Sequence, residues 1–328
     1  MTKPPKISML TGVYNSARYL PDSIESILNQ TEEDFEFILV NNGSTDGSDS
    51  ILNSYAKQDS RIRILNLATP GHTEALNFGL TYARGTYIAR QDTDDLSEPE
   101  RFEKQYRYLD VTPDVDLIGS SAVTIDDAGH LIGRYTYPND HQTLRKALLE
   151  LRNPLPASTW MFRKSIIEKT GPYDAFFRKA QDYAFLMRLI DNFALGSLSE
   201  PLVSLRRRID SITFNDNTAE QHRFALTARA LYAKGLLRHN SFVNASNNAD
   251  FLEEFNKWFA DQKFHRPYNG ARARVAARSF YNDGRLGPSL ITAIKSLIMY
   301  PQFIPNKILR KNPYWNESYI TIFRDMPK

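Results

Sequence analysis

Tyr87-Ile88-Ala89-Arg90-Gln91-Asp92-Thr93-Asp94-Asp95 is the stretch on which the fold of this chain turns. A short apolar run ends in three carboxylates within four residues. So crowded a set suits neither a hydrophobic core nor an ordinary turn. Clustered Asp oxygens are hard ligands, matched to Mg2+ or Mn2+ carrying a phosphorylated substrate. The same form stands upstream, where Phe35 to Val40 leads into Asn41-Asn42-Gly43-Ser44-Thr45-Asp46-Gly47. Strand, polar loop, helix, repeated, is how open α/β sheets bind nucleotides at the carboxyl ends of their strands.

Working outward, the first half alternates. Ile7 to Val13 reads as strand, and Leu20, Ile24, Ile27 and Leu28 recur at helical spacing. Strands are then expected over 35–40, 62–67 and 87–90, with helices over 49–57 and 74–84 and another after Pro99, placed in its first turn. Nearly all-apolar strands joined by helices imply a mainly parallel sheet covered on both faces. From Asp116 the rhythm changes: Leu117 to Ile125 reads as a strand running into the turn Asp126-Asp127-Ala128-Gly129, a hairpin signal. Helices are expected at 141–151, 164–169 and 181–192. Beyond Thr213 the pattern is helical, at 219–237, 251–259, 271–281 and 289–299, which divides the chain into 1–213 and a helical region 214–328.

With 328 residues and 41% hydrophobic content, the chain can hold one large domain and a smaller one. No apolar stretch approaches the ~20 residues of a membrane span, and the N-terminus shows no signal-peptide pattern. The absence of cysteine excludes disulfides and thiolate metal sites and fits a reducing cytoplasm. Net charge is +3, unevenly spread: from Lys263 onward there are 12 Lys/Arg against 3 Asp/Glu, a surplus of +9 that leaves −6 for residues 1–262. Such a tail is either a solvated surface or a face for an anionic membrane or phosphorylated lipid. The segment 301–311 mixes Phe303, Ile304, Ile308 and Leu309 with Lys307, Arg310 and Lys311, as an interfacial anchor would. The cytoplasm, with peripheral contact on the inner face of its membrane, is the expected location; no nucleic-acid partner is expected.

Thr11-Gly12-Val13-Tyr14-Asn15 closes the first strand, where backbone amides and a glycine would let a nucleotide approach closely. That loop, Asn42 to Asp46, the Gly79/Gly85 segment, the acidic run, the stretch Tyr19 to Gln30 and Pro99-Glu-Arg-Phe-Glu-Lys-Gln105 form an ordered set. In order and spacing the set resembles the inverting family 2 glycosyltransferases of the GT-A fold, those of bacterial surface polysaccharides among them, over Ile7 to Thr213. The resemblance implies a Rossmann-like α/β domain and a metal-dependent transfer of a hexose or N-acetylhexosamine. The donor would be a nucleotide sugar, with UDP the expected nucleotide, and the acceptor a hydroxyl of a saccharide or lipid-linked saccharide.

Carried across, Asp92 would contact the ribose or nearby sugar and Asp94 would ligate Mn2+ or Mg2+ through the diphosphate. Thr11, Gly12, Val13, Tyr14, Asn15, Asn42, Gly43, Arg90 and Thr93 would complete the donor site, and Asp95 would support it from its edge, towards the acceptor. A departing nucleoside diphosphate gathers negative charge, which a Lewis acid stabilises. Lys179-Ala180-Gln181-Asp182-Tyr183 resembles the segment in which an acidic pair opens a helix and its Asp is the catalytic base. Here Gln181 replaces the first acid and Asp182 remains. A hydroxyl is a poor nucleophile until a carboxylate takes its proton, yet Asp182 could equally serve as a helix N-cap. Gln181 and Trp160, the latter as a sugar-stacking ring, are placed on the acceptor side. Arg206 and Arg208, in Leu205-Arg206-Arg207-Arg208, have forks suited to diphosphate, although a three-Arg run could equally be a solvated edge strand.

Three departures from the family pattern matter. Asn42 stands where an Asp often accepts from the uracil imide, although its carbonyl can still accept. Ala157 and Arg208 stand where histidines are common. His72, in Thr69-Pro-Gly-His-Thr-Glu74, lies near the expected donor and is given no role. Three rival functions remain. A sugar-phosphate nucleotidyltransferase would need a basic Gly-rich loop after the first strand, which this chain lacks. A non-catalytic sugar-nucleotide-binding subunit would have lost Asp92, Asp94 or Asp182. A polyprenyl-phosphate glycosyltransferase, whose acceptor is already ionised, would not need Asp182.

Overall fold

Strand and helix alternate through the first half: β1 (Ile7–Val13), α1 (Leu20–Leu28), β2 (Phe35–Asn41), α2 (Ser48–Gln58), β3 (Ile62–Asn66), α3 (His72–Tyr82) and β4 (Tyr87–Arg90). There follow β5 (Leu96–Ser97), α4 (Arg101–Val111), β6 (Leu117–Ile125), β7 (Leu131–Tyr135), α5 (His141–Leu149) and a 3-10 turn (Ala157–Thr159). β8 (Met161–Arg163), α6 (Ser165–Thr170), α7 (Gln181–Leu189), β9 (Leu195–Arg206) and α8 (Thr218–Ala233) complete the order. The computed structural model describes residues 3–68, 71–207, 218–233 and 235–237, with isolated positions Asp250, Leu252, Glu253 and Asn256. Arg208, the helices expected at 251–259, 271–281 and 289–299, and the basic segment 301–311 lie outside the described residues. Among those described, no helix is long and apolar enough to cross a membrane.

The described strands form one sheet, ordered β3-β2-β1-β4-β8-β6-β9-β5, with β7 on β6. Its first four strands are parallel, Met9 lying opposite both Phe37 and Ala89. The remainder is mixed: β8 runs antiparallel to β4 and β6, while β6 and β9 pair in parallel. β6 and β7 form the expected hairpin. The strands β5, β8 and β9 are not anticipated from the sequence. Two are too short to show a period, and in β9 a register shift at Ser121–Pro201 breaks the alternation. α4 begins at Arg101 with Glu100 as its N-cap, so Pro99 stands just outside it and the acidic run does not cap it.

Period-two alternation creates the two layers. Ile7, Met9, Val13, Phe37 and Leu39 face a core with Leu20, Ile24 and Ile27 of α1, Leu52 of α2 and Phe102 and Leu109 of α4. Leu10, Ile38 and Val40 face the other core, with Leu76 of α3, Phe185 and Leu186 of α7, and Phe224 of α8. A Cβ at Gly79 would come within 2.2 Å of the Leu10 side chain, and one at Gly85 within 2.5 Å of the Ser8 amide. Those glycines therefore seat α3 and its exit turn against β1. Glu36, buried at the opposite end of β2 from the polar loops, accepts from Ser8, Arg63 and Arg84. Because β1, β2 and β4 are parallel, their C-terminal loops emerge at one edge of the sheet. That is why Tyr14–Asn15, Asn42–Gly43 and Asp92–Asp95 can meet although dozens of residues separate them.

Candidate active site

The loops after β1 and β2 are stitched to each other. Asn15, in the left-handed region with φ 46°, accepts from the Thr45 amide at 2.8 Å, and its own amide donates to Ser44 Oγ. Asp46 accepts from the amides of Ala17 and Ser48. Tyr14 is left exposed at the rim. The Asn42 amide donates to the Val13 carbonyl, while Asn42 Oδ1 accepts from the Gly71 amide at 2.9 Å. Asn42 is thereby pinned between β1 and the start of α3, with one lone pair of Oδ1 already taken. Gly43 adopts φ 75°, which favours glycine. A Cβ at Gly12 would meet Ala75 and His72 at 3.6 and 3.7 Å, ordinary contact, so packing does not demand a glycine there. Thr11 Oγ1 donates to the Gln91 carbonyl, tying β1 to the acidic loop.

The three carboxylates of that loop have different environments. Asp92 is 43% exposed; its Oδ1 accepts from Arg90 Nη2 at 2.9 Å, and its amide donates to Ser158 Oγ. Asp94 is half-buried. Asp95 is buried, and its Oδ1 accepts from the Arg206 amide at 2.8 Å. Burial, then the charges of Asp94 and Asp92, hold the Asp95 carboxyl well above the usual range. Expected towards the acceptor, Asp95 instead faces inward and secures the loop to β9. Thr93 Oγ1 donates to Ser16 Oγ, so its hydroxyl is held by the β1 loop.

Arg90 is the fixed cation of the site. Its side chain is buried, and Nη2 lies 3.0 Å from His72 Nε2 as well as bonding Asp92. Guanidinium has no acceptor, so the His72 Nε2 must carry the lone pair and Nδ1 the proton. Burial, reinforced by Arg90, pulls His72 down to about 4, and the imidazole is neutral near pH 7. Burial works against Arg90, but Asp92, Tyr173, Asp182 and Asp95 together hold it above its ordinary value. Asp92 and Asp182, far apart in sequence, thus act on one guanidinium.

Asp182 enters from α7. The chain reaches that helix through Ala180 in the left-handed region, φ 52°, and Ala180, not Asp182, is the N-cap residue. Asp182 sits in the first turn, where its Oδ1 accepts from the Tyr183 amide at 2.8 Å and its Oδ2 from Asn153 Nδ2 at 2.9 Å. Burial raises its pKa, and the charge of Arg90 opposes that rise. A carboxylate lifted towards neutrality, yet kept ionisable by a nearby cation, suits proton abstraction. Gln181 precedes it, half-buried.

Two expected ligand contacts are different in the structure. Trp160 has no exposed surface; it stacks on Phe185 at 6.1 Å between centroids and donates from Nε1 to the Leu155 carbonyl. The ring is core, with no face open to a sugar. Arg206 is also buried, and its fork is engaged by backbone: Nε donates to the Asp94 carbonyl, and Nη1 to those of Asp126 and Asp127. It braces the acidic loop against the β6–β7 turn instead of presenting a fork to diphosphate. Conversely, Asn153 bonds the Asp182 carboxylate, Ser158 the Asp92 amide and His72 the Arg90 guanidinium, and the sequence had suggested none of these contacts. His72 carried a signal in its position between a glycine and a helix behind β3, and Asn153 and Ser158 one in a segment that resembles the family's acceptor side.

Comparison with known proteins bears on this arrangement. The model of the family described as "Glycosyl transferase family 2" matches residues 8–171. The O-antigen biosynthesis glycosyltransferase WbnJ of Escherichia coli is 35% identical over 204 residues, which cover 61% of this chain and 79% of that protein. Glycosyltransferase GlyG of Streptococcus pneumoniae is 32% identical over 160 residues, 48% of this chain and 52% of that protein. Among solved structures, Staphylococcus aureus TarS 1–349 in complex with UDP-GlcNAc superposes with a TM-score of 0.57 at 16% identity, covering 88% of this chain and 91% of that one. The mannosyltransferase PcManGT from Pyrobaculum calidifontis, in complex with GDP-Man and Mn2+, gives 0.55 at 14% identity, covering 100% and 89%. At such identities the structural likeness speaks for the fold alone.

Proposed function

Since the chain belongs to glycosyl transferase family 2 and is a transferase of the GT-A fold, we propose that it transfers a hexosyl or N-acetylhexosaminyl group from a UDP sugar. The acceptor is a hydroxyl of a saccharide or lipid-linked saccharide of a surface polysaccharide, and the anomeric carbon is inverted. The observation that carries this is that the buried Arg90, which bonds Asp92 from the loop after β4, also acts by its charge on Asp182 from the start of α7. A donor-binding carboxylate and a base are thereby set about one buried cation. Support for the substrate classes comes from relatives: WbnJ is named for O-antigen biosynthesis, and TarS was solved with UDP-GlcNAc.

Asp182 takes the proton of the acceptor hydroxyl as that oxygen attacks the anomeric carbon. The bond to the nucleoside diphosphate breaks on the opposite side, and its electron pair leaves with the diphosphate. Asn153 and the Tyr183 amide hold the Asp182 carboxylate during this step. Asp92, oriented by Arg90 and Ser158, binds the ribose or the sugar. Asn42 meets the base with the lone pair that Gly71 leaves vacant.

A divalent cation fits the acidic loop. Among the described residues no three His, Cys, Asp or Glu side chains already converge on one ion, but Mg2+ and its like are commonly held by one or two carboxylates plus substrate phosphates. Asp94 is half-buried, and its charge and that of Asp92 add to burial in raising Asp95. Asp94 would hold the ion, which would supply Lewis-acid stabilisation of the leaving diphosphate. PcManGT, solved with Mn2+, supports the same class of ion.

The test is a nucleotide-release assay over a panel of UDP, GDP, dTDP and CDP sugars with Mn2+ and no acceptor. Slow hydrolysis of a UDP-hexose or UDP-N-acetylhexosamine is expected. Release from a GDP sugar alone would overturn the base assignment, and release that is indifferent to EDTA would overturn the metal.

A further inference from the structure

Arg101, the first residue of α4, has no exposed surface, and all five of its N–H groups are bonded. Nη2 donates to the Arg90 carbonyl at 2.8 Å and the Trp160 carbonyl at 3.1 Å. Nη1 donates to Ser97 Oγ at 2.8 Å and Gln91 Oε1 at 3.2 Å, and Nε to Gln105 Oε1 at 3.1 Å. Every acceptor is neutral. A buried guanidinium without a carboxylate in contact is expensive to maintain. Neutral side chains could tie the same backbone together, so the charge itself calls for a reason.

The reason lies in what those acceptors hold. Arg90 is the last residue of β4, and Ser97 lies just beyond the acidic run. One side chain therefore grips both ends of the loop that carries Asp92, Asp94 and Asp95. Gln91 extends the grip within the loop, its Nε2 donating to the Asp95 carbonyl at 3.0 Å and to Ser23 Oγ of α1. Gln105 carries it to the Thr159 carbonyl at 2.7 Å, next to Ser158, whose hydroxyl accepts from the Asp92 amide. Above this frame stand three carboxylates that repel one another; beneath it stands a positive charge that cannot leave.

We propose that Arg101 is a positioning residue and built-in counter-charge, which keeps the acidic loop in its cation-binding shape before any cation or nucleotide arrives. Burial pulls the guanidinium down to about 9, against the opposing pull of Asp95, so it stays charged near neutral pH. Arg206 braces the same loop from β9 through the Asp94 carbonyl and the Asp95 carboxylate. Arg206 bonds neither Arg90, Gln91 nor Ser97, the positions that Arg101 ties to one another. The metal consequence rests on the donor and cation assignment proposed above; the loop consequence does not.

The test separates the two. In metal-free protein, amide hydrogen exchange of a peptide covering 86–97 is compared between wild type and Arg101→Lys, with the β1 peptide 7–13 as an internal control. Faster exchange of 86–97 alone is expected, because Lys cannot span both ends of the loop. Calorimetric titration of Mn2+ in the presence of UDP should then show affinity for Mn2+ weakened by about 10–100-fold, the usual effect of outer-shell changes, with metal-free UDP binding little altered. A folded variant with unchanged exchange at 86–97 and unchanged Mn2+ affinity would overturn the proposal. Unchanged Mn2+ affinity with a loosened loop would overturn the metal consequence. Wild-type protein in which Mn2+ does not strengthen UDP binding would overturn the metal assignment itself, leaving the exchange comparison to decide the clamp. If Arg101→Lys fails to fold, Ser97→Ala removes one tether at the loop exit. It should show the same selective exchange in milder form, and its absence would count against the clamp in the same way.

Discussion

Replacing Asp182 with Asn tests the mechanism most directly. The substitution keeps the shape of the side chain and the means to satisfy its surroundings. Asn Oδ1 can still accept from the Tyr183 amide, while Nδ2 would face Asn153, whose amide can turn to offer oxygen only by giving up its bond from the Leu155 amide. The loss of one bond costs about 0.5–1.5 kcal/mol of stability, the range of a single hydrogen bond. Against that, burial raises the pKa of Asp182, with the charge of Arg90 opposing the rise. A carboxylate whose folded pKa lies above its unfolded value binds more protons folded than unfolded between the two. Stability therefore falls as pH rises through that window, and the neutral Asn removes this penalty. The two effects oppose each other, and the variant should melt close to the wild-type temperature at pH 7. Turnover should behave oppositely: loss of proton abstraction is worth ~10²–10⁴-fold, about 3–5 kcal/mol of barrier. The assay is kcat with donor and acceptor saturating, measured from pH 5 to 9 beside calorimetric UDP binding, which should scarcely move. The acid limb of the wild-type profile should begin above the ordinary Asp range and vanish in the variant. A variant that keeps more than about a tenth of wild-type kcat, against the expected loss, or that keeps the same acid limb, would refute Asp182 as the base. It would also revive a role limited to the first turn of α7, or an acceptor that is already ionised.

Further outcomes follow from the same site. Asp94→Asn should abolish the strengthening of UDP binding by Mn2+, seen by calorimetry, while metal-free UDP binding persists; an unchanged Mn2+ effect would remove Asp94 as the ligand. His72 should remain neutral down to about pH 4 in an NMR titration of its ring. The unfolded chain takes up that proton near 6.5, so His72 lowers stability as pH falls from there towards 4, and His72→Gln should flatten that part of the stability profile. Trp160→Ala should lower stability by about 3–5 kcal/mol, the cost of emptying a core aromatic site, measurable by urea unfolding. A fully stable Trp160→Ala protein with a raised KM for acceptor would show that the ring contacts the acceptor after all.

The amino-acid sequence by itself determined the parallel half of the sheet and the place of the acidic loop. Both are local properties: alternation along β1 and β2 assigns each side chain to a layer, and polar residues gather where strands end. Asp92 and Asp94 could be singled out for the same reason, because acids clustered behind an apolar run stand out in one dimension, whereas Asp182 was marked only by the resemblance of its segment to a known family. What each acid faces could not be read in that way. Asp95 turns inward because β5 pairs with β9, which brings the Arg206 amide across 111 positions to its carboxylate. Trp160 is core because α7 lays Phe185 against it, and Arg206 is a brace because the β6–β7 turn offers it carbonyls. The charges of Asp92 and Asp182, 90 positions apart, reach the one Arg90 guanidinium only in the folded chain. Side-chain direction at such points follows from register and packing between segments distant along the chain. A short strand such as β5 or β8 gains its direction from partners, not from its own two or three residues.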